Sequence, residues 1–480
     1  MPFLLEHVTE VVLGMMFVIL VCSVLIVGFT ILRRRRREIY FQRIDDLRER
    51  FSTVILALLD GTADYDQGRG ALNAISGRDR IHALELLLLE RKPSPAQVPI
   101  LRRLCQDLGL VDVWQRQLRG GNEWSSRGIP RQDTNSPLGF LVRAASAQKL
   151  GLIRHQPSWP ILAKALNDAH PDVCSVAAAS LAAIGEPESL KAILDRLHAV
   201  ILDPQSRVST RSLKMALVSF PLDQADKFLP SLQASHGQIR FLAVDILREM
   251  TERAAAFDEE FVLDSRTFPT KLSDLFLGRL CNDASPDVRA RSASVIAYLD
   301  SPRAISALLH LLEDKQWYVR LHAVRALAKH RFIARAGVIA TRLTDSQWMV
   351  REAAARTLLG FGQVGLDQVL AHLMNSRDRY SKEQIADDIQ RAGLIPAILT
   401  QFGANGECRE RHVLEQLADL GKTSYLLATL AGSSDPILRM KFLAGYGRHA
   451  DPQIRSWVKG LSAREHDADL RNGISPKDAA

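Results

Sequence analysis

A repeat of 31 residues is the feature that most constrains the fold of this chain. Three similar stretches, DASPDVRARSASVIAYL, DKQWYVRLHAVRALAKH and DSQWMVREAAARTLLGF, begin at Asp283, Asp314 and Asp345. Each stretch has an Asp, four further residues, Val-Arg, two more residues and then a small side chain. Self-similarity at a period of about 20–50 residues is typical of stacked repeat architectures. The pattern therefore predicts an array of similar units.

The same frame continues upstream of these three stretches. Its apolar position falls at Val142, Val173, Val208, Ile239, Val288, Val319 and Val350. Four residues later, its small position falls at Ser146, Ala177, Ser212, Ala243, Ser292, Ala323 and Ala354. Because small side chains let two helices approach closely, this position predicts close helix–helix contact. Seven clear units cover residues 138–362.

Each unit reads as a pair of helices. In the unit around Val319, an apolar stripe at i, i+3, i+4 and i+7 predicts the first helix, with Ile305, Leu308, Leu309 and Leu312. A second stripe, at Val319, Ala323 and Leu327, predicts the second helix. Since no single pair can bury its stripe alone, neighbouring pairs are expected to stack into one continuous core.

This frame resembles HEAT repeats, and in particular the short HEAT-like repeats of phycocyanobilin lyases. The resemblance implies an all-α fold: a HEAT-like α-solenoid, a right-handed superhelix of antiparallel helix pairs. Some units depart from the frame, since Pro137 and Ala234 occupy the Asp position, and Cys174 and Ser209 occupy the Arg position. These units are expected to stack but to lack part of the polar ladder between repeats.

The N-terminal segment predicts a membrane anchor. Residues 11–32 form an uncharged apolar stretch that would span roughly 33 Å as a helix, enough to cross a bilayer. Five arginines, Arg33, Arg34, Arg35, Arg36 and Arg37, follow it directly. Because basic residues stay on the cytoplasmic side, we expect the N-terminus outside and the solenoid in the cytoplasm, anchored in a bacterial inner membrane. A signal peptide is the alternative, but its basic residues would precede a shorter apolar core.

Charge and cysteine usage favour the same location. The chain carries a formal net charge of +8. Without the arginine run, Glu6 and Glu10, residues 38–480 keep +5, a mild excess that does not predict nucleic-acid binding. The five cysteines are dispersed singly, which fits a reducing compartment and gives no zinc site.

The sequence divides into seven segments by composition and periodicity. We expect a short extracytoplasmic N-terminus at 1–10, the span at 11–32, a basic juxtamembrane helix at 33–50, a helical cap at 51–137, clear repeats at 138–362, degenerate repeats at 363–460 and a disordered tail at 461–480. A long loop at 115–137 and an insertion at 251–270 interrupt the rhythm. Each is predicted to be either functional or disordered.

The recurring charged positions have two interpretations. The arginines Arg143, Arg240, Arg289, Arg320 and Arg351 either grip an acidic partner or pair with the aspartates Asp168, Asp203, Asp283, Asp314 and Asp345 of their own or the next repeat. Because arginine suits bidentate pairing with carboxylates, we favour the structural interpretation. The arginine run at 33–37 can additionally hold anionic lipid head groups.

The aromatic positions give the first candidate for a partner surface. Trp317 and Trp348 occupy equivalent turns. We favour the interpretation that they cover the core, and the alternative is that they face a partner. Because interfaces favour tryptophan and arginine, the candidate surface comprises Trp317, Tyr318, His322, Arg325 and Trp348, with Trp124 of the long loop.

The sequence contains no recognisable catalytic motif. No G-x-S-x-G, P-loop or H-E-x-x-H is found, so no catalytic, cofactor-binding or metal-binding residues are predicted. We expect a non-enzymatic scaffold that binds an unidentified protein at the membrane, as an accessory to an envelope or polysaccharide complex. A ligand binder of the bilin-lyase type and a nucleic-acid-binding HEAT protein are the alternatives. The oligomeric state cannot be predicted.

Overall fold

A computed structural model describes residues 2–75, 80–89, 93–120, 139–258, 260–264, 268–329, 333–398 and 408–422, with the single positions 426, 455, 456 and 459. Side chains of residues 2–13, 37, 408–411 and 418 are outside this description. The described residues are helical throughout and contain no β-strand, apart from an isolated parallel bridge between Leu263 and Leu299. The chain divides into two compact units, residues 1–219 and 220–480.

The first unit contains ten helices with described bounds. They are α1 (Pro2–Leu59), α2 (Tyr65–Asn73), α3 (Arg80–Leu89), α4 (Val98–Asp107), α5 (Leu110–Leu118), α6 (Gly139–Leu152), α7 (Trp159–Ala165), α8 (Pro171–Ile184), α9 (Pro187–Leu202) and α10 (Thr210–Val218). The frame-bearing helices α6, α8 and α10 pack side by side in one layer. Their partners α7 and α9 pack against each other in a second layer, as stacked antiparallel pairs require.

The second unit repeats this arrangement. Its helices are α11 (Leu229–Leu232), α12 (Gly237–Ala255), α13 (Thr270–Gly278), α14 (Pro286–Ile296), α15 (Pro302–Leu311), α16 (Trp317–Lys329), α17 (Ala336–Ala340), α18 (Trp348–Leu359), α19 (Gln363–Asn375), α20 (Arg379–Arg391) and α21 (Cys408–Leu417). Helices α12, α14, α16, α18 and α20 form one layer, each packed on the next. Pairs α13–α15 and α17–α19 lie in the other layer. Each unit is therefore a HEAT-like solenoid segment.

Proline and glycine set the helix boundaries. Pro171, Pro286 and Pro302 each occupy the first helical position, where the missing N–H costs no hydrogen bond. Gly185 ends α8 with a φ of 77°, a left-handed conformation that favours glycine. Prolines therefore mark the starts of these helices, and glycine marks the end of α8.

The small position of the frame lies at the contacts between frame-bearing helices. Ala177, Ala243, Ala323 and Ala354 are buried, as are Ser146 and Ser292, whereas Ser212 is half-buried. Close approach is also visible at Gly151 of α6, where an added Cβ would lie 2.6 Å from the Ser180 side chain of α8. The predicted steric role of the small residues therefore agrees with their burial.

Helix α1 joins the predicted span to the first unit without a break. It runs from Pro2 to Leu59, so the span at 11–32, the basic segment at 33–50 and the start of the cap are one continuous helix. Its C-terminal part packs on α2, α3 and α4 through the buried side chains of Ile44, Ile55 and Leu58. At about 1.5 Å per residue, Ile44 lies roughly 18 Å along the helix from Leu32.

Both predicted interruptions are shorter than the sequence suggests. Residues 115–118 belong to α5 and residues 251–255 to α12, because apolar side chains such as Leu118 and Met250 continue the buried stripe of each helix. In the insertion, the Leu263 N–H donates to the Tyr298 carbonyl, at 2.8 Å, and Phe268 is buried. Residues 121–137 of the predicted loop, most of residues 423–460 of the predicted degenerate repeats and the predicted tail at 461–480 lie outside the described residues.

Candidate functional site

Four arginine–aspartate pairs connect neighbouring frame-bearing helices, one pair within the first unit and three within the second. In each pair the arginine Nε and Nη2 donate to the two carboxylate oxygens, at 2.7–2.9 Å. The pairs are Arg143–Asp168, Arg240–Asp283, Arg289–Asp314 and Arg320–Asp345. In every case the aspartate lies just before the next frame-bearing helix. We call these eight residues the arginine–aspartate ladder.

The other hydrogen-bonding groups of the ladder are also occupied. Asp345 Oδ1 accepts a further hydrogen bond from the Gln347 N–H at 3.0 Å, which fixes the turn before α18. Arg320 Nη1 donates to the carbonyl oxygens of Asp314 at 2.8 Å and Lys315 at 3.2 Å. Arg240 and Arg289 likewise donate to turn carbonyl oxygens through Nη1. Since these three guanidinium groups already contact both a carboxylate and a turn, they have little capacity left for an acidic partner.

Two predicted members of the ladder have other partners. Arg351 Nε donates to the amide oxygen of Gln384 in α20, at 3.0 Å, and not to a carboxylate. The nearby Asp378 is the N-cap of α20, where it accepts a hydrogen bond from the Tyr380 N–H at 3.0 Å. Asp203 is exposed and accepts a hydrogen bond from the Gln205 N–H at 3.0 Å. It has no arginine partner in α8 because Cys174 occupies the Arg position of the frame there. The ladder is therefore interrupted where the frame departs from its consensus.

The ladder changes the acidity of its carboxyl groups. Burial alone would raise the pKa of Asp345, but hydrogen bonds from Arg320 and from the Gln347 N–H outweigh it. The pKa of Asp345 therefore lies below its ordinary value of 3.8. The pKa values of Asp168, Asp283 and Asp314 are lowered by the same balance of effects.

The aromatic positions differ in exposure. Trp317 is half-buried, and its ring makes an edge-to-face contact with Tyr318, with centroids 5.7 Å apart. Trp348 is 55% exposed, so it does not cover the core as the preferred interpretation expects. The two tryptophans are equivalent in sequence but not in surroundings. Trp124 lies outside the described residues.

A basic cluster surrounds His322 in the second unit. His322 Nδ1 lies 3.1 Å from Ser294 Oγ of α14. Burial, followed by the charges of Arg291, Arg325 and Arg248, lowers the pKa of His322 to about 4. The imidazole is therefore neutral at physiological pH, in a region of positive potential.

Sequence reasoning identified His322 and Arg325 but missed Arg291 and Arg248. Arg291 lies three residues after the apolar position Val288, as His322 does after Val319. Equivalent positions in the frame lie on the same face of successive helices. This spacing is the sequence signal that would have identified Arg291.

A buried carboxyl group lies between α18 and α20. Asp388 is 5% exposed, and its Oδ2 has no hydrogen-bond partner in the part of the chain that the structure describes. Its Oδ1 lies 3.5 Å from Arg391, which also contacts Glu352 of α18 at 3.2 Å. Burial and the charge of Glu352 raise the pKa of Asp388 to about 6, despite the opposing effect of Arg391. This carboxyl group therefore titrates much closer to neutrality than an ordinary aspartate.

The predicted span has an unusual surface. From Met15 to Leu32 the large apolar side chains are exposed on all sides of α1, at 40–67% each. Arg33, Arg34, Arg35 and Arg36 follow and are exposed; the side chain of Arg37 lies outside the description. By length and composition, α1 is the one helix in the described part of the chain that is able to cross a membrane.

The described residues offer no metal site, since no group of three or more His, Cys, Asp or Glu side chains converges there. Described histidines contact serine hydroxyls instead, as in His155–Ser158 at 2.8 Å and His372–Ser381 at 2.9 Å. Both serines are fully buried and His155 is buried with them, whereas His372 is half-buried.

Comparisons with known proteins agree with the repeat pattern. The family of HEAT repeats matches residues 140–208 and 273–333. No curated protein matches the chain. Solved structures that are similar include an engineered protein, with 17% identity over 73% of this chain and 98% of that one, at a TM-score of 0.31. The YibA protein of Escherichia coli has 15% identity over 60% of this chain and 97% of its own, at a TM-score of 0.32.

A longer solved structure, Kap121p bound to Nup53p, has 12% identity and a TM-score of 0.41. It is matched by 85% of this chain, which spans about half, 50%, of Kap121p. At such TM-scores these likenesses carry no argument about shape or partners. The classification rests on the family match, the 31-residue frame and the stacked helix pairs. The chain therefore contains HEAT repeats.

Proposed function

We propose that this chain is a membrane-anchored scaffold that binds a protein partner on the cytoplasmic face of the membrane. The observation that carries the proposal is helix α1. From Met15 to Leu32 it exposes apolar side chains on every side, and its C-terminal part packs on α2, α3 and α4. An apolar surface of this size is unfavourable in water and favourable in hydrocarbon.

The polar groups within the span support insertion into a bilayer. Ser23 Oγ donates to the Ile19 carbonyl at 2.8 Å, and Thr30 Oγ1 donates to the Val27 carbonyl at 2.8 Å. Because hydrocarbon cannot accept hydrogen bonds, side chains that are satisfied within their own helix are suited to this environment. The arginines that follow favour the orientation with the N-terminus outside.

The continuity of α1 supports a scaffold held close to the membrane. The packed part of the helix begins about 18 Å from the end of the span, by helical rise. No flexible linker separates them, because residues 2–59 form one helix. A repeat array tethered in this way has a raised effective concentration towards other membrane components.

The interaction role follows from the repeat array. Stacked helix pairs provide extended surfaces, while the ladder serves to join repeats. We place the partner among the envelope complexes of a bacterial inner membrane, such as a polysaccharide synthase. The bilin-lyase-type ligand binder and the nucleic-acid binder remain the competing functions.

The experiment compares the full-length protein with a variant lacking residues 1–37. This deletion removes the span and the arginine run but keeps Ile44, Ile55 and Leu58, which pack on the first unit. After alkaline carbonate extraction we expect the full-length protein in the membrane pellet and the deletion variant in the supernatant. Recovery of an N-terminally shortened protein from wild-type cells would instead identify a cleaved signal peptide.

The partner is sought by affinity purification of both forms in mild detergent, followed by mass spectrometry. We expect a specific membrane protein with the full-length form and its loss or depletion with the deletion variant. Co-purification of nucleic acid alone, or of a small molecule without protein, would refute the scaffold. A second control replaces Leu20, in the middle of the span, with arginine, which costs about 3 kcal/mol for insertion without shortening the chain.

A further inference from the structure

The surface around His322 carries positive charge that its neighbours only partly neutralise. Three successive frame-bearing helices supply the charge, with Arg248 on α12, Arg291 on α14 and Arg325 on α16. Lys329 lies one turn beyond Arg325 on the same helix. We call Arg291, His322, Arg325 and Lys329 the basic surface.

Carboxylates are unevenly distributed among these cations. Arg248 contacts Asp245 at 2.9 Å and Glu249 at 2.9 Å, and it also pairs with Glu252, so its charge is compensated. Arg291 has one carboxylate contact, to Asp245 Oδ1 at 3.2 Å, and this oxygen also accepts from Arg248. The carboxylates that neutralise Arg248 and Arg291 therefore all lie on α12.

The two cations of α16 lack carboxylate partners among the described residues. Arg325 is exposed and has no ion pair there. Lys329 is exposed and contacts the hydroxyl group of Tyr298, with its Nζ 3.6 Å from the ring centroid. Burial, followed by the charges of Arg291, Arg325 and Arg248, lowers the pKa of His322 at the same place. The basic surface thus has an excess of positive charge that an acidic partner would neutralise.

We propose that the basic surface binds an acidic, extended segment of the partner protein through its carboxylates. The inference rests on the proposed scaffold function and specifies the chemistry of its partner. Guanidinium groups suit carboxylates in particular, because both are planar and form paired hydrogen bonds. The ladder of this chain shows that geometry four times, at 2.7–2.9 Å.

The spacing of the helices also suits an extended segment. Packed helices lie about 8–10 Å apart, and residues two or three apart in an extended chain lie roughly 7–10 Å apart. A segment that crosses α14 and α16 can therefore present one carboxylate to Arg291 and another to Arg325. We assign lipid head groups instead to the exposed arginines Arg33–Arg36, which follow the proposed span.

The test measures binding of a short fluorescein-labelled peptide, in which glutamate alternates with serine, to full-length protein in detergent by fluorescence anisotropy. Arg325→Glu is the main variant because Arg325 is exposed and has no carboxylate partner whose pairing would be lost. Arg335→Glu is the matched control: Arg335 is exposed, lies beside α17 and has no ion pair among the described residues. A peptide with lysine in place of glutamate controls for non-ionic binding.

We expect Arg325→Glu to weaken binding at least about tenfold, because reversing one charge converts attraction into repulsion. Arg335→Glu is expected to change affinity less than about twofold, and added salt to weaken wild-type binding. Arg291→Gln provides a second variant that removes charge without placing a new carboxylate beside Asp245. Equal effects of Arg325→Glu and Arg335→Glu, or equal binding of the lysine peptide, would overturn the inference.

Two further outcomes separate this inference from the proposed function. If full-length Arg325→Glu retains the membrane-protein partner at wild-type yield, the scaffold stands and the basic surface is not its docking site. If mixed phosphatidylglycerol and phosphatidylcholine vesicles bind in an Arg325-dependent manner and the glutamate peptide does not, the surface serves lipid and the inference is wrong.

Discussion

Replacing Asp345 with asparagine is expected to loosen the contact between α16 and α18. The aspartate accepts two hydrogen bonds from Arg320, both at 2.7 Å, and one from the Gln347 N–H at 3.0 Å. The pair is well shielded, since the side chains of Arg320 and Asp345 are 11% and 3% exposed. Asparagine has nearly the same shape, so the substitution changes charge and hydrogen bonding with little change in packing.

The magnitude follows from the hydrogen bonds that change. Asparagine keeps one carbonyl oxygen as an acceptor, but its amide group turns a donor towards a guanidinium that is itself only a donor. Hydrogen bonds to charged groups contribute about 1.5–3 kcal/mol each. We therefore expect a loss of about 2 kcal/mol for local opening of this contact, a factor of about 30 in the opening equilibrium.

Hydrogen exchange with mass spectrometry is the suitable assay, because a repeat array opens locally and need not unfold in two states. Protection of amides in α16 and α18 should fall by about 30-fold, while α6 and α8 in the other unit should be unaffected. Asp203→Asn is the matched control, since Asp203 has the same frame position but accepts a hydrogen bond from Gln205 and from no arginine. It should change protection less than about threefold.

A double-mutant cycle completes the test. Arg320→Gln alone also removes the hydrogen bonds to the Asp314 and Lys315 carbonyls, so its single effect overstates the ion pair. Combined with Asp345→Asn, it should reveal a coupling of about 1–2 kcal/mol. Equal effects of Asp345→Asn and Asp203→Asn, or a coupling near zero, would refute the view that the ladder holds the repeats together.

Three further predictions concern single groups in the second unit. Lowering the pH from 6.5 towards 4 should destabilise the fold through His322. The imidazole of the unfolded chain takes up a proton in this range, whereas the folded one, with a pKa of about 4, does not. His322→Gln should therefore reduce the pH dependence of the free energy of unfolding in this range, measured by urea denaturation. Asp388→Asn should stabilise the protein by about 1–2 kcal/mol above pH 6, because the folded carboxyl group, with a pKa of about 6, is both ionised and buried there. The gain should disappear at lower pH, where the carboxyl group is protonated. An unchanged melting temperature at pH 8 would contradict the expectation. Gly365→Ala should destabilise by at least about 2 kcal/mol, because its Cβ would lie 1.7 Å from the Leu358 carbonyl oxygen, whereas Gly278→Ala, with open space around it, should not; thermal melts of the two variants provide the comparison.

Much of the local architecture could be predicted from the residues alone. The apolar and small positions of the frame identify the seven helices from α6 to α18 that carry it, because both are properties of a single helix and its immediate neighbour. The extent of helix α1 was less predictable, since charge and apolar character change abruptly at Arg33 while the backbone remains helical. The composition of a segment indicates whether it lies in an apolar or a polar environment, but it does not indicate where the helix begins and ends.

The candidate site could be predicted only in part. His322 and Arg325 were identified, but Arg291 was not, because its significance depends on the unequal distribution of Asp245 between two arginines. The burial of Asp388 was equally invisible, since its surroundings come from α18 and α20 together. Such properties depend on side chains that are distant in the chain.

The sequence by itself determined the helix-pair repeat and the long apolar helical segment, because periodicity and a run of uncharged residues express themselves within a few turns of one helix. Only the tertiary structure decided which charges are paired. Arg240 reaches Asp283 across the insertion, 43 residues away, whereas Arg289 reaches Asp314 over 25. Ion pairing and burial depend on distances in space, and the stacking of repeats sets those distances independently of the number of residues in between.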